Sequence, residues 1–299
     1  MTARPVNPVF ATSRGGTDPR TASDWTGRQV FSNNLRSLVG RAYPRVRGMV
    51  REPSWLFFEI LLPFLTVSAF VFVYRALQAP EDYIGFVVLG GAMAAFWLNV
   101  IWMMAGQLYW EKSQGNLELY FAAPMHLMSV LLGMAFGGLV MTTVRATAVL
   151  GIGSILFGVQ FRVEDWFLLG AVFLLTMTAL YGLGMTLASL FLLWGREAFH
   201  LVNAMTEPAY FVSGLNFPVG RLGFLGALAI ATIPFAVGLD AMRQLVFPDG
   251  AYISGTPSPA VEALILVAMT VVFTLVARLM IRRIERAARA RGTLSIRWQ

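Results

Sequence analysis

The chain has no cysteine, two histidines, a single lysine among 23 basic residues, and only 13% charged side chains in 299 residues. Without cysteine there are no disulfides, thiolate metal sites, iron–sulfur ligands or cysteine nucleophiles. The histidines, His126 and His200, cannot carry a metal centre alone. Glu197 to His200 is the sole Glu-x-x-His spacing, and a di-metal bundle needs two such pairs, so no metal site is expected and His200 reads as an interfacial polar residue. The lone lysine bears on nucleotides. A phosphate-binding loop places Gly-Lys-Ser/Thr after a Gly-rich turn, whereas Lys112 follows Glu111. None of the glycine pairs at Gly15, Gly90 and Gly137 opens a nucleotide motif either. If ATP drives this protein, both ATP and its magnesium sit on another chain, and this chain needs no cofactor of its own. No nucleic-acid partner is expected.

What the chain has is apolar surface. Hydrophobic residues make up 57% of it and the mean hydropathy is +0.65, while soluble domains carry about 25% charged residues; it is an all-α integral membrane protein embedded in a lipid bilayer. Residues 1–27 are polar, lack an apolar signal-peptide core, and read as a disordered cytoplasmic tail. Over 28–53, Phe31, Leu35, Leu38, Ala42, Val46 and Met49 recur at helical spacing while arginines populate the other faces. That pattern describes an amphipathic helix on an anionic leaflet. Residues 54–284 form the transmembrane domain and 285–299 a basic cytoplasmic tail.

Apolar runs long enough to cross a core of about 30 Å are predicted at Trp55–Tyr74, Tyr83–Gln107, Leu127–Val149, Trp166–Trp194 and Val261–Ile281. Phe199–Leu215 is short and carries Glu207-Pro208, and Leu222–Leu239 is broken by Pro234. Charge decides between six spans and seven. With six, both termini share one face, which collects seventeen basic residues against Arg75, Arg162, Arg221 and Arg243 on the other. Phe199–Leu215 is therefore the fifth span, and residues 217–246 form an external hairpin that enters the outer leaflet and returns, its backbone buried by protein.

Between the second and third runs, residues 109–124 (YWEKSQGNLELYFAAP) form a charged, Gly-broken island in which Trp110, Leu117, Leu119, Tyr120 and Phe121 alternate with Glu111, Lys112, Asn116 and Glu118. Such an amphipathic segment in water at a membrane face touches another protein. In residue order it resembles the cytoplasmic coupling segment of type-2 ABC exporter permeases, on Glu111, Lys112, Gly115, Leu117, Glu118 and Pro124. Phe217-Pro218, Ile233-Pro234-Phe235, Asp240 and Arg243 follow the order of that family's external re-entrant helices. The resemblance implies an N-terminal elbow helix, six spans, two permease copies forming a conduit, and two ATPase subunits beneath, in the cytoplasmic (inner) membrane. It implies export of a lipophilic or amphiphilic molecule, drug-like or lipid-like. Lipid-linked polysaccharide export is a family alternative, disfavoured by the few polar groups in the spans. From other classes, an ATP-independent channel or secondary transporter lacks a visible inverted repeat, and an intramembrane enzyme lacks a paired nucleophile and base.

Ionisable groups within spans are costly and point to function. Arg145 and Glu262 count to the same depth, so a structural ion pair is expected, with Asp240 as the competing partner; Glu59 reads as an interfacial anchor. Glu207 coincides with Pro208, which leaves the carbonyl of Ala204 without its helical donor. Two readings stand for that site: a conduit-lining carboxylate, or a buried carboxylate bonded to the kink.

Because the chain has no cysteine of its own, single cysteines test the topology directly. Asp249→Cys is expected to react with an impermeant maleimide in intact cells, and Gly115→Cys and Gly292→Cys are not. Outside labelling of the Gly292→Cys variant would establish seven spans.

Overall fold

The computed structural model describes residues 27–116, 119–120, 126–194, 196–247 and 256–291. The expected N-terminal tail lies outside that range except for Gly27, whereas the expected C-terminal tail is helical as far as Arg291, at the end of the last helix, and lies outside the range beyond it. Its regular elements are helices: α1 (Gly27–Arg51), α2 (Pro53–Ala76), α3 (Glu81–Leu98), a π-helical turn (Asn99–Ala105), α4 (Gly106–Ser113), α5 (Leu127–Phe157), α6 (Trp166–Trp194), α7 (Arg196–Val212), a short 3-10 turn (Val219–Leu222), α8 (Phe224–Thr232), α9 (Pro234–Val246) and α10 (Pro259–Arg291). Their limits follow from backbone chemistry. Pro53 and Pro234 occupy first-turn positions, where a missing N–H costs nothing, and α5 stops at Gly158 with φ 73°, a left-handed cap that glycine adopts freely.

Among the described residues, five helices are long and apolar enough to span a membrane. The longest-buried is the continuous rod α3–π–α4, with 83% of its apolar window inside the protein, whereas α2 has 11% and α10 has 22%. The rod is the core; α2 and α10 present Phe57, Leu62, Phe72, Leu264, Val271 and Leu279 outward. The rod also defines two ends of the bundle, a lower one where α4 finishes and an upper one where α3 starts.

Helix α7, at 17 residues, falls short of the usual span. Near its start Phe199 meets Tyr109, with ring centroids 5.2 Å apart; just past its end the carbonyl of Asn216 accepts the Tyr74 hydroxyl at 2.6 Å, by the upper end of α2. The expected hairpin resolves into α8 and α9, bent by 106° at a break between them. Phe235, beside the break, packs on Trp97 at 5.8 Å, and Phe247 after α9 lies on Phe86 at 5.3 Å. Phe235 and Phe247 thus contact α3 at different heights, the first beside Trp97 and the second nearer its start.

Helix α1 lies across the lower part of α5. An ideal Cβ at Gly133 would fall 2.5 Å from the carbonyl oxygen of Leu38, and one at Gly137 3.1 Å from the Cα of Ala42. The small-residue spacing Gly133-x-x-x-Gly137, unremarkable in a chain with 28 glycines, is therefore the groove that admits the α1 backbone.

Since the Gly133 neighbour is backbone, Gly133→Ala forces α1 to lift. Overpacking of this kind costs about 1–3 kcal/mol, and a lowered Tm with easier proteolysis of α1 is the expected outcome; Gly151→Ala, which meets nothing within 4 Å, is the control.

Candidate functional site

Two groups of residues bear on function, one at the lower end and one along α7. At the lower end, α4 closes with Gln114 and with Gly115 at φ 79°. One turn earlier stands Glu111, a carboxylate only 3% exposed. Its Oε1 accepts from the Arg41 guanidinium of α1 and from Gln107 Nε2 at 2.9 Å. Its Oε2 accepts from Asn116 Nδ2 at 3.0 Å and the Tyr120 hydroxyl at 2.9 Å. The Arg41 guanidinium also sits 5.7 Å from the Tyr120 ring centroid, a cation–π arrangement. Burial raises the Tyr120 phenol above its ordinary range, against the lowering effect of Arg41, so it stays a donor.

This arrangement corrects one expectation. Glu111 is not available at the rim of a docking surface; its four acceptor bonds are spent inside the protein, because a buried carboxylate must find donors. Lys112 also turns inward, donating to the Leu192 carbonyl near the end of α6 at 3.3 Å. Trp110 remains accessible at 52% while its ring contacts Tyr109 and Phe199. Leu117, Glu118 and Pro124 lie outside the described residues.

Above this cluster α1 makes a second attachment. Arg45 donates to the Met134 carbonyl of α5 at 2.9 Å and to the Met103 carbonyl in the π turn. A π turn displaces carbonyls from their usual helical donors, and a guanidinium fork can serve two at once. Burial, and then the like charge of Arg41, lower Arg45 to about 10, which leaves it charged at neutral pH. In the same turn Asn99 is buried and takes the Tyr181 hydroxyl at 3.5 Å. Gly138 makes room for it, since a Cβ there would lie 2.5 Å from Asn99 Oδ1.

The expected ion pair of Arg145 with Glu262 is also corrected. Arg145 pairs with Glu59 of α2 at 2.8 Å and donates to Thr142 Oγ1 at 3.2 Å. The depth count fails because α5, with 31 residues, is about 46 Å long at the helical rise, longer than a bilayer core of about 30 Å, and its first turns pack against α1. Measured from Gly137 instead, Arg145 stands about 12 Å up, close to the level of Glu59 on α2. Glu59 is thus the partner of an internal cation and no mere interfacial anchor. Glu262, fully buried, belongs with Asp240: Gln244 Nε2 donates to Asp240 Oδ2 at 3.2 Å and to Glu262 Oε2 at 3.3 Å. Asp240 therefore joins α9 to α10 and does not meet Arg145.

Along α7 the two faces differ. Ala198, Val202 and Thr206 are buried, while Glu197, His200, Asn203 and Glu207 are exposed. Pro208 is exposed as well, and the reading of Glu207 as a buried carboxylate bonded to the kink does not hold. The segment after α7 is fixed by Arg243, 1% exposed, which donates to the carbonyls of Gly214 at 2.6 Å, Leu215 at 2.7 Å, Phe217 at 3.3 Å and Phe86 at 2.9 Å. Sequence reasoning marked Arg243 only as part of a motif order; its role as a carbonyl clamp had a signal in its place between a predicted hairpin and a Pro-rich turn. Asn99, Arg41 and Arg45 gave no signal of comparable strength.

Comparison with known proteins places these features. The family model described as ABC-2 type transporter matches residues 42–247, more than half of the chain, and takes in the rod, Glu111 with all its donors but Arg41, α7 and the α8–α9 pair. No curated protein matches the chain.

The Arg41–Glu111 contact can be isolated by a double-mutant cycle. Arg41→Met removes the charged donor and should destabilise by about 1–3 kcal/mol, the range for hydrogen bonds to charged groups. Glu111→Gln should cost a similar amount, and the double variant less than the sum, with a coupling of about 0.5–3 kcal/mol in thermal unfolding.

Proposed function

We propose, from the premise that this chain belongs to the ABC-2 type transporter family, that it is the permease of an ATP-driven exporter that moves a lipophilic or amphiphilic substrate outward. The family implies ABC ATPase partners; two copies of this chain over two ATPase subunits is the assembly proposed here. The lower end is then cytoplasmic, with both termini on it, and α8–α9 is a re-entrant hairpin on the outer side. The placement of basic residues supports that orientation.

The observation that carries the reading is the exposed stripe Glu197, His200, Asn203 and Glu207. The outward faces of α2 and α10 are largely apolar and suit lipid. A carboxylate facing lipid costs about 2.5–3.5 kcal/mol on insertion scales; water in a conduit, or the equivalent face of a second permease, relieves that cost. The stripe is narrow and apart from it the span surfaces are poor in hydrogen-bonding groups, which favours an amphiphile over a sugar chain. Export of a lipid-linked polysaccharide is the second family reading and is tested alongside.

Coupling to the ATPase falls to residues 109–124, with Trp110 as an accessible apolar anchor and Leu117, Glu118 and Tyr120 completing the segment. Glu111 acts one step behind, holding that segment to α1 through Arg41. In this reading force applied to the loop reaches the spans along α4, the π turn and Arg45.

The test uses the chain co-purified with its ATPase and reconstituted in proteoliposomes. Glu207→Gln should lower export of a fluorescent amphiphile several-fold while the Tm of the complex is unchanged. Unaltered export and Tm would remove Glu207 from the path, and a large fall in Tm would make it structural. Failure to recover any ATPase under gentle extraction would favour an ATP-independent channel.

A further inference from the structure

A second concave site lies at the upper end, away from α7 and from the Glu111 cluster. It is a cavity of about 580 Å³ enclosed by the α2–α3 turn, the start of α3, the α5–α6 connection and the end of α9. Ile84, Phe157, Val159, Val246 and Phe247 form its apolar part. Its polar part carries both signs: the guanidiniums of Arg75 and Arg162 and the carboxylates of Glu81 and Asp82, with Gln78 and Gln160 between them.

The site is built. Phe247 can seat against α3 only because residue 85 is glycine, where a Cβ would fall 2.3 Å from the ring. The connection after α5 is tied to the end of α9 by two backbone bonds, Arg162 N to the Val246 carbonyl at 3.0 Å and Glu164 N to the Leu245 carbonyl at 3.3 Å. Gln78, at φ 52° the only non-glycine residue at positive φ among the described residues, is the left-handed residue of the cap that ends α2, with Ala79 N donating to the Tyr74 carbonyl at 3.0 Å and Gln78 N to the Arg75 carbonyl at 3.1 Å; that cap fixes the α2–α3 turn along the cavity wall. Arg75 is anchored by its bond to the Phe157 carbonyl at 3.1 Å and by the Phe157 ring, 5.7 Å from its guanidinium carbon. A guanidinium fork so fixed keeps further N–H donors for an anion. No ion pair among the described residues engages Glu81 or Asp82.

We infer that this cavity binds the headgroup of a zwitterionic phospholipid, its phosphate on Arg75 and Arg162 and its ammonium on Glu81 and Asp82. Phosphate diesters match the guanidinium fork in bidentate geometry, and a primary or quaternary ammonium is satisfied by two carboxylates with an aromatic ring at hand. Depth agrees with chemistry. Its lining includes Arg162, four residues before Trp166, which is exposed at 75% as interfacial tryptophans are; that nearness favours headgroup level, and its apolar part can take the first carbons of the glyceride. The inference is independent of the direction of transport, because the cavity is level with headgroups whichever leaflet it faces.

The full-length chain, purified into nanodiscs of mixed phosphatidylethanolamine and phosphatidylglycerol, tests it by native mass spectrometry of retained lipid. The wild type should retain phosphatidylethanolamine over phosphatidylglycerol. Neutralising the carboxylates with Glu81→Gln and Asp82→Asn should erase that preference while lipid is still held, and Arg75→Gln with Arg162→Gln should lower retention of both lipids about tenfold, the effect of losing a charge-assisted contact. A monodisperse elution profile verifies folding; should the arginine pair misfold, the carboxylate pair decides alone, since Glu81 is at the surface. Displacement by millimolar glycerophosphoethanolamine identifies the headgroup by itself as the ligand, and resistance to it identifies the whole lipid; either supports the site. No preference in the wild type, or an unchanged preference in the carboxylate variant, overturns it.

Discussion

Glu111 is a carboxylate shut away from water at the foot of the bundle, and the lower half of the structure is arranged to meet its demand for donors. Arg41 supplies the charge, and Gln107, Asn116 and Tyr120 supply the rest. Those donors come from three stretches of chain that would otherwise separate: the N-terminal helix α1, the end of the central rod, and the segment after Gly115. Losing a hydrogen bond to a charged group costs about 1–3 kcal/mol, and that penalty, together with the Arg45 bond to the Met103 carbonyl, binds α1 to the rod. The groove at Gly133 and Gly137 gives α1 its position; the carboxylate fixes its register.

The same logic explains why arginine outnumbers lysine so heavily. A span that bends, breaks or loosens leaves carbonyls without N–H donors, and in a bilayer water cannot replace them. Arg45 serves the π turn and α5 together, and Arg243 gathers four carbonyls around the end of α7. Lysine, with one ammonium on a flexible stem, lacks the planar fork for this work. The sole lysine is found at the edge, on a single carbonyl.

Helices with continuous apolar runs could be read from the sequence, and the five long spans lie where hydropathy puts them. The break between α8 and α9 was readable too, because Pro234 has no N–H and cannot continue α8. Charge partners were not. Depth counted from the first apolar residue misplaced Arg145, since α5 is longer than a bilayer core and its opening turns serve α1. Glu111 looked like a surface charge because it sits among polar neighbours; that those neighbours are its donors, and that Arg41 lies seventy positions upstream, is tertiary information. Glu207 was the reverse case: its sequence context allowed an exposed or a buried carboxylate, and only the packing of α7, with Val202 and Thr206 turned inward, makes it exposed.

The π turn has a consequence of phase. Successive residues of an α-helix are rotated by about 100°, and a π turn accommodates one additional residue without starting a new helix. Below Asn99–Ala105 every side chain is therefore turned by roughly that angle relative to an uninterrupted helix begun at Glu81. Hydropathy scarcely registers the insertion, because both halves remain apolar. Yet removal of a single residue between 99 and 105 would swing α4 through about a quarter turn, facing Glu111 away from Arg41 and bringing another side of the helix toward α1. A seven-residue irregularity inside the bilayer thus sets the compass bearing of everything beneath it.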